Sequence, residues 1–213
     1  MQLELLSPAK NAEIGMEAIR HGADAVYIGA PKYGARQAAG NSLNDIERLV
    51  REAHLYGAKV LVTLNTILDD QEIREAKTLV HQLYNIGVDA LIIQDMGLLR
   101  LDLPPIRLHA STQANNLTTQ QVSFLEKCGF ARVVLARELS LQQIAEIRAN
   151  TSIELEAFVH GALCVSYSGQ CYLSQAMCQR SANRGACAQL CRLPYDLVDA
   201  RGKNTCKISI CSP

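Results

Sequence analysis

His21–Gly29 reads HGADAVYIG: a helix-stopping glycine, two small or acidic residues, then a short apolar run. The phrase recurs as YGAKVLVTLN (Tyr56–Asn65), IGVDALIIQD (Ile86–Asp95) and CGFARVVLARE (Cys128–Glu138). In each, the glycine fits a left-handed cap at the end of a helix, and the apolar run fits a buried strand. Working outward, a strand–helix alternation repeats about every 25 residues. Strands are expected at Leu3–Ala9, Ala25–Ala30, Lys59–Asn65, Ala90–Asp95, Arg107–Gln113, Arg132–Glu138 and Ile153–Gly161. Helices are expected at Ala12–His21, Leu43–Tyr56 (capped by Asn41 or Ser42), Asp70–Asn85, Thr118–Lys127 and Leu141–Ala149, with a short one at Met96–Leu101. Short apolar strands alternating with helices imply a parallel sheet covered by helices. Seven in series without a dinucleotide fingerprint favour a TIM-type (β/α)8 barrel over a doubly wound sheet. Residues 1–161 form the barrel units and 162–213 a Cys-rich segment with a hairpin.

The count stops at seven. LPYDLVDARGKN (Leu193–Asn204) reads as a hairpin turning at Asp199–Gly202, and TCKISICSP follows. An eighth unit needs roughly 25–30 more residues. The expectation is an incomplete barrel, either open or part of a shortened chain, and an inactive fragment is one reading of it.

Composition narrows the class. Of 213 residues, 48% are hydrophobic and 20% charged, enough for a core and too ordered a balance for disorder. Net charge is zero, so nothing global marks a nucleic-acid binder, and no DNA partner is expected. From Cys178 to Lys207, however, six basic residues face two acidic ones, a local charge of about +4 that suits phosphate. MQLELLSPAKN lacks the features of a signal peptide, and no run suits a membrane span. A cytoplasmic location is expected. There, eight cysteines favour metal or redox chemistry over disulfides.

Five of those cysteines fall in one stretch: Cys164, Cys171, Cys178, Cys187 and Cys191. Only Cys128 precedes them. Their spacing fits neither a CxxC zinc knuckle nor the ferredoxin CxxCxxC run. It suits a cluster assembled from loops after a barrel strand. Strand ends add a second set of candidates. Arg107, His109, Ser111 and Gln113 share one face, as do Glu156, Phe158 and His160. Catalytic groups of such barrels gather where strands end. His109, Arg137, Glu156 and His160 are the candidate catalytic residues.

EAFVHGALCVSYSGQCYLS (Glu156–Ser174) resembles the signature of the peptidase U32 family, and SPA, GAR, VTLNTIL, LHASTQ and RSANRG…CRLPY extend the resemblance over residues 3 to about 200. Within the family, the chain most resembles the branch serving 23S ribosomal RNA cytidine hydroxylation. That resemblance implies a barrel, usually followed by further domains. It implies an iron–sulfur cluster, of the 4Fe-4S type in the hydroxylating branches, on Cys164, Cys171 and Cys187, with Cys191 as the fourth ligand. It also implies ribosomal RNA or its precursor as partner and a prephenate-derived hydroxyl donor. Cys178, Cys206 and Cys211 match no motif. The family's name implies the alternative, a collagenase-like peptidase, for which His160 near Cys164 could be written as base and nucleophile. No HExxH or GxSxG motif is present.

Overall fold

A computed structural model describes residues 3–35, 41–202 and, for the backbone alone, 204–209. Arg36 and the side chains of Lys203, Cys206, Lys207 and Cys211 lie outside the described residues. Seven parallel strands form one sheet in chain order: β1 (Leu6–Ala9), β2 (Ala25–Gly29), β3 (Lys59–Leu64), β4 (Ala90–Ile93), β5 (Arg107–Ala110), β6 (Arg132–Val134) and β7 (Glu154–Glu156). Helices α1 (Ala12–Arg20), α2 (Leu43–Leu55), α3 (Asp70–Asn85), α4 (Thr119–Lys127) and α5 (Leu141–Asn150) cross between them. The strand order puts β1 and β7 at opposite edges. Yet Glu4, just before β1, accepts a 2.6 Å hydrogen bond from Arg132 on β6. The sheet must therefore curl on itself, as an incomplete TIM-type barrel does.

Alternation sorts the strand residues into two cores. Val26, Ile28, Val60, Val62, Leu64, Leu91, Ile93, Ala110, Val133 and Leu135 face the helices. Ala25, Leu61, Ala90 and Ile92 form a second cluster inside the curl. The helices start where their caps dictate. Asn11 and Ser42 accept from Ile14 N and Asp45 N, and Asp69, Thr118 and Ser140 complete capping boxes with Glu72, Gln121 and Gln143. Gly22, Gly57, Gly87 and Gly129 all have positive φ, as the repeated phrase requires.

The strands are shorter than their sequence patterns. β5 ends at Ala110 and gives way to a 3-10 turn at Thr112–Ala114, because Ser111 caps that turn. β7 ends at Glu156, so alternation does not carry to Phe158 and His160. Met96–Arg100 is a 3-10 turn rather than an α-helix. After β7 comes an unanticipated short helix, α6 (Leu173–Cys178), and then the hairpin β8 (Pro194–Val198) and β9 (Asn204–Ser209). Its turn sits where expected, with Gly202 N donating to Asp199 O at 2.9 Å.

Candidate functional site

The interior of the curl is charged at the end where strands begin. Arg132, the first residue of β6, donates through Nε and Nη2 to Glu154 at 2.9 and 2.8 Å, and through Nη1 to Glu4 at 2.6 Å. Its Nη1 also stands 3.5 Å from Glu156. Lys59 adds a 2.6 Å bond to Glu4, and Arg107 a 2.7 Å bond to Glu154. Burial raises the Glu4 pKa, but hydrogen bonds from Arg132 and Lys59 outweigh it and hold the carboxyl at about 2. Burial pushes Glu156 up against the opposing pull of Arg132. For Arg132, burial disfavours the charge, yet its bonds to Glu4 and Glu154 raise its pKa above the ordinary value.

His109 lies against this network, in register with Arg132. It is 3% exposed, and neither ring nitrogen has a hydrogen-bond partner among the described residues. Burial, reinforced by Arg132 and Arg107, depresses its pKa to about 3. The ring is thus neutral when folded, whereas an unfolded histidine titrates near 6.5. Stability is complete above about pH 6.5 and falls as pH drops, by up to roughly 1.4 kcal/mol per unit. Glu4 adds its own loss only below the ordinary carboxylate value of 4.5. Urea midpoints measured between the two values should fall for the wild type, and His109→Gln should flatten that part of the profile.

The opposite end of the barrel is polar and carries the cysteine segment. Asn65 Nδ2 donates to Ser111 Oγ at 3.1 Å, and Gln94 Nε2 to the Gln113 carbonyl at 3.0 Å. Past β6, Glu138 accepts from Ser168 N at 2.8 Å and from Ser168 Oγ at 3.2 Å. Arg137 Nη2 donates to the same Oγ at 3.3 Å. Ser168 is fully buried. Next to it, Gly169 has φ +73°, and a Cβ there would stand 1.9 Å from the Gln113 carbonyl oxygen. Only glycine allows this approach. On the other side, Arg184 reaches the Ile67 carbonyl at 2.9 Å and the Glu72 carboxylate. The segment is therefore fastened over the strand ends at β3, β5 and β6. Gly169→Ala should undo this docking, since positive φ and overpacking each cost about 1–3 kcal/mol. The check is thiol labelling of Cys164 and Cys171, which should quicken in the variant while Cys128 labels as before.

Cys164, Cys171, Cys178, Cys187 and Cys191 are in no disulfide and are partly or fully exposed. Ala188 N donates to the buried Ser174 Oγ at 3.0 Å, which ties the Cys187–Cys191 stretch to α6. As soft donors they suit an iron–sulfur cluster. Among the described residues, no three His, Cys, Asp or Glu side chains are arranged to hold a metal ion.

The four candidate catalytic residues are thus divided. His109 and Glu156 meet around Arg132 inside the barrel. Arg137 sits at the strand ends, with its guanidinium 6.0 Å from the Phe158 ring centroid. His160 is exposed beyond β7. Sequence reasoning missed Glu4, Arg132 and the Ser168–Gly169 clamp. Gly169 stood inside the quoted signature, and its neighbour Ser168 was one more small polar residue there. Glu4 and Arg132 carried no local signal.

A search of curated proteins finds the Escherichia coli protein named 23S rRNA 5-hydroxycytidine C2501 synthase, 60% identical over 95% of this chain and 31% of its own length. Tracing further, tRNA hydroxylation protein P1 of Bacillus subtilis is 40% identical over 94% of this chain and 49% of its own. A collagenase of Porphyromonas gingivalis is 32% identical over 92% of this chain and 50% of its own. The chain therefore spans a third to a half of these relatives. Among solved structures, the U32 peptidase Mk0906 matches 76% of this chain and 70% of its own with a TM-score of 0.64, at 15% identity, which speaks for the fold. The model of peptidase family U32 matches residues 10–209. The chain belongs to the peptidase U32 family.

Proposed function

We propose that this chain is the barrel of an RNA hydroxylase that forms 5-hydroxycytidine in 23S ribosomal RNA or its precursor, in the cytoplasm. The observation that carries the proposal is the 60% identity across 95% of the chain to a protein named for that reaction. Adding oxygen to an aromatic carbon is redox chemistry that side chains alone do not perform, so a cofactor supplies it. Cys164, Cys171, Cys187 and Cys191 would hold an iron–sulfur cluster, which provides electron transfer when bound. Ligation would draw together thiols that already share a segment fastened over the strand ends. Ser168, Gly169 and Arg184 keep that segment in place. Arg137 and Glu138, at the same end, would position the base, which must leave its stack to reach the site. Glu156, within the inner ion network, and His109, packed against it, would act on stability and on the shape of the lumen. A prephenate-derived donor would supply the hydroxyl.

Peptidase activity is the second reading, favoured by the family's name and the collagenase relative. A cysteine nucleophile needs a histidine in reach. Among the described residues, no hydrogen bond joins His160 to Cys164 or to another thiol. Nucleoside mass spectrometry of ribosomal RNA from a strain lacking the gene tests the two. Loss of hydroxycytidine is expected. Its persistence, with purified protein cleaving peptides, would establish the peptidase.

A further inference from the structure

We propose that the exposed side chains of Tyr167, Tyr172, Arg180 and Arg192 in the cysteine segment form a stacking platform for single-stranded RNA. This rests on the RNA reading above and adds where the strand lies. The first observation is charge. From residue 157 to residue 195 the chain has no aspartate or glutamate at all, and three arginines. Arg184 is used to fasten the segment. Arg180 and Arg192 are exposed and form no ion pair among the described residues.

The second observation is the set of wet rings. Tyr167 and Tyr172 are each 65% exposed, and Phe158 stands nearby in sequence under the Arg137 guanidinium, itself half-exposed. Exposed rings drawn from one short stretch of chain suit a ligand that stacks on them. Local hydrogen bonds hold the parts together. Tyr172 caps α6 and accepts from Ala176 N at 2.9 Å, while Ser174 accepts from Arg180 N at 3.2 Å through its carbonyl and from Ala188 N through its hydroxyl. The buried Ser174 thus ties the backbone of Arg180 and of Ala188 to α6.

Aromatic faces beside unpaired arginines are what a single strand needs: bases stack on the rings, and phosphates meet the guanidiniums. The exposed aliphatic residues Leu163, Val165 and Met177 would also suit a protein partner. Protein interfaces, however, carry rims of both charge signs, and here one sign is missing from residue 157 to residue 195. The polyanion is the better fit.

The test is fluorescence anisotropy of the full chain with a short, labelled, mixed-sequence single-stranded RNA across a salt series. Tyr167→Ala with Tyr172→Ala should weaken binding at least about 5-fold, with the salt slope unchanged, because stacking is lost and charge is not. Phe at both positions should retain the affinity. Arg180→Gln with Arg192→Gln should lower the slope of log affinity against log salt by about 1.4, for two phosphates at roughly 0.7 each. Thermal transitions matching the wild type confirm that the variants are folded. Wild-type affinity in both double variants overturns the platform. So does a tyrosine variant that loses self-association in sedimentation while its RNA affinity is unchanged, since the face would then be a protein interface. Cellular hydroxycytidine that depends on the gene, together with unaffected RNA binding in both variants, removes the platform and leaves the hydroxylation reading standing. Platform binding without gene-dependent hydroxycytidine does the reverse.

Discussion

Replacing Arg132 with methionine is expected to destabilise the fold by about 3–5 kcal/mol, the usual cost of removing one partner from a buried ionic group. Arg132 is only 11% exposed at its side chain and serves three carboxylates, Glu4, Glu154 and Glu156. Without it, Glu4 keeps Lys59 and Glu154 keeps Arg107, but Glu156 loses its cation. The Glu156 pKa, already pushed up by burial, would rise further without the opposing pull of Arg132. The Arg132–Glu4 bond is also what joins the late strands to the start of the first across the curl. Losing it should open the barrel as well as weaken it. Urea denaturation would read the effect as a large drop in midpoint. Glu4→Gln, which keeps a hydrogen-bond acceptor for Arg132, should cost less than half as much. Equal costs for the two variants would show that the network acts by charge alone.

The second large effect concerns the thiols. Protein prepared without oxygen should bind iron and sulfide, with the visible absorption of a cluster. Cys164→Ala combined with Cys171→Ala should abolish that absorption, because thiolate ligands are not replaceable by neighbouring groups in this segment. The thiols left in the segment, Cys187, Cys191 and a Cys178 turned toward its own helix, are too few for a four-cysteine cluster. Cys128→Ala, at the end of α4, should leave absorption unchanged, since Cys128 packs against the helix-facing core. Cys178 is a useful comparison: its thiol points to its own helix, 3.1 Å from the Ser174 carbonyl, and Cys178→Ala should keep the cluster. Full absorption in the Cys164, Cys171 double variant would remove both from the ligand set.

Much of the frame was legible from local chemistry. The glycines at 22, 57, 87 and 129 end helices because each takes a positive φ, and the phrase around them repeats. Ser42 caps α2 as its position before an amphipathic run implies. Such features need only neighbours in sequence. What was not legible depends on closure. The partners Glu4 and Arg132 are 128 positions apart, and only the curl of the sheet brings them together. Strand ends were overextended for a related reason. RLHASTQ alternates through Gln113, but a strand persists only while the ladder does, and Ser111 turns to capping after its last bond to Ile93 O at 2.7 Å. His160 was grouped with Glu156 by the same alternation and lies outside it. For the cysteines, the motif located the segment. What it did not show was how Ser168, Gly169 and Arg184 fasten that segment over the strand ends.

The most direct measurement is complementation of a strain lacking the gene, read by mass spectrometry of its 23S ribosomal RNA. The intact gene should restore hydroxycytidine, and the same gene carrying Cys171→Ser should not, at equal protein levels. Restoration by both would contradict the role given to the cysteine segment, and restoration by neither would contradict the hydroxylase.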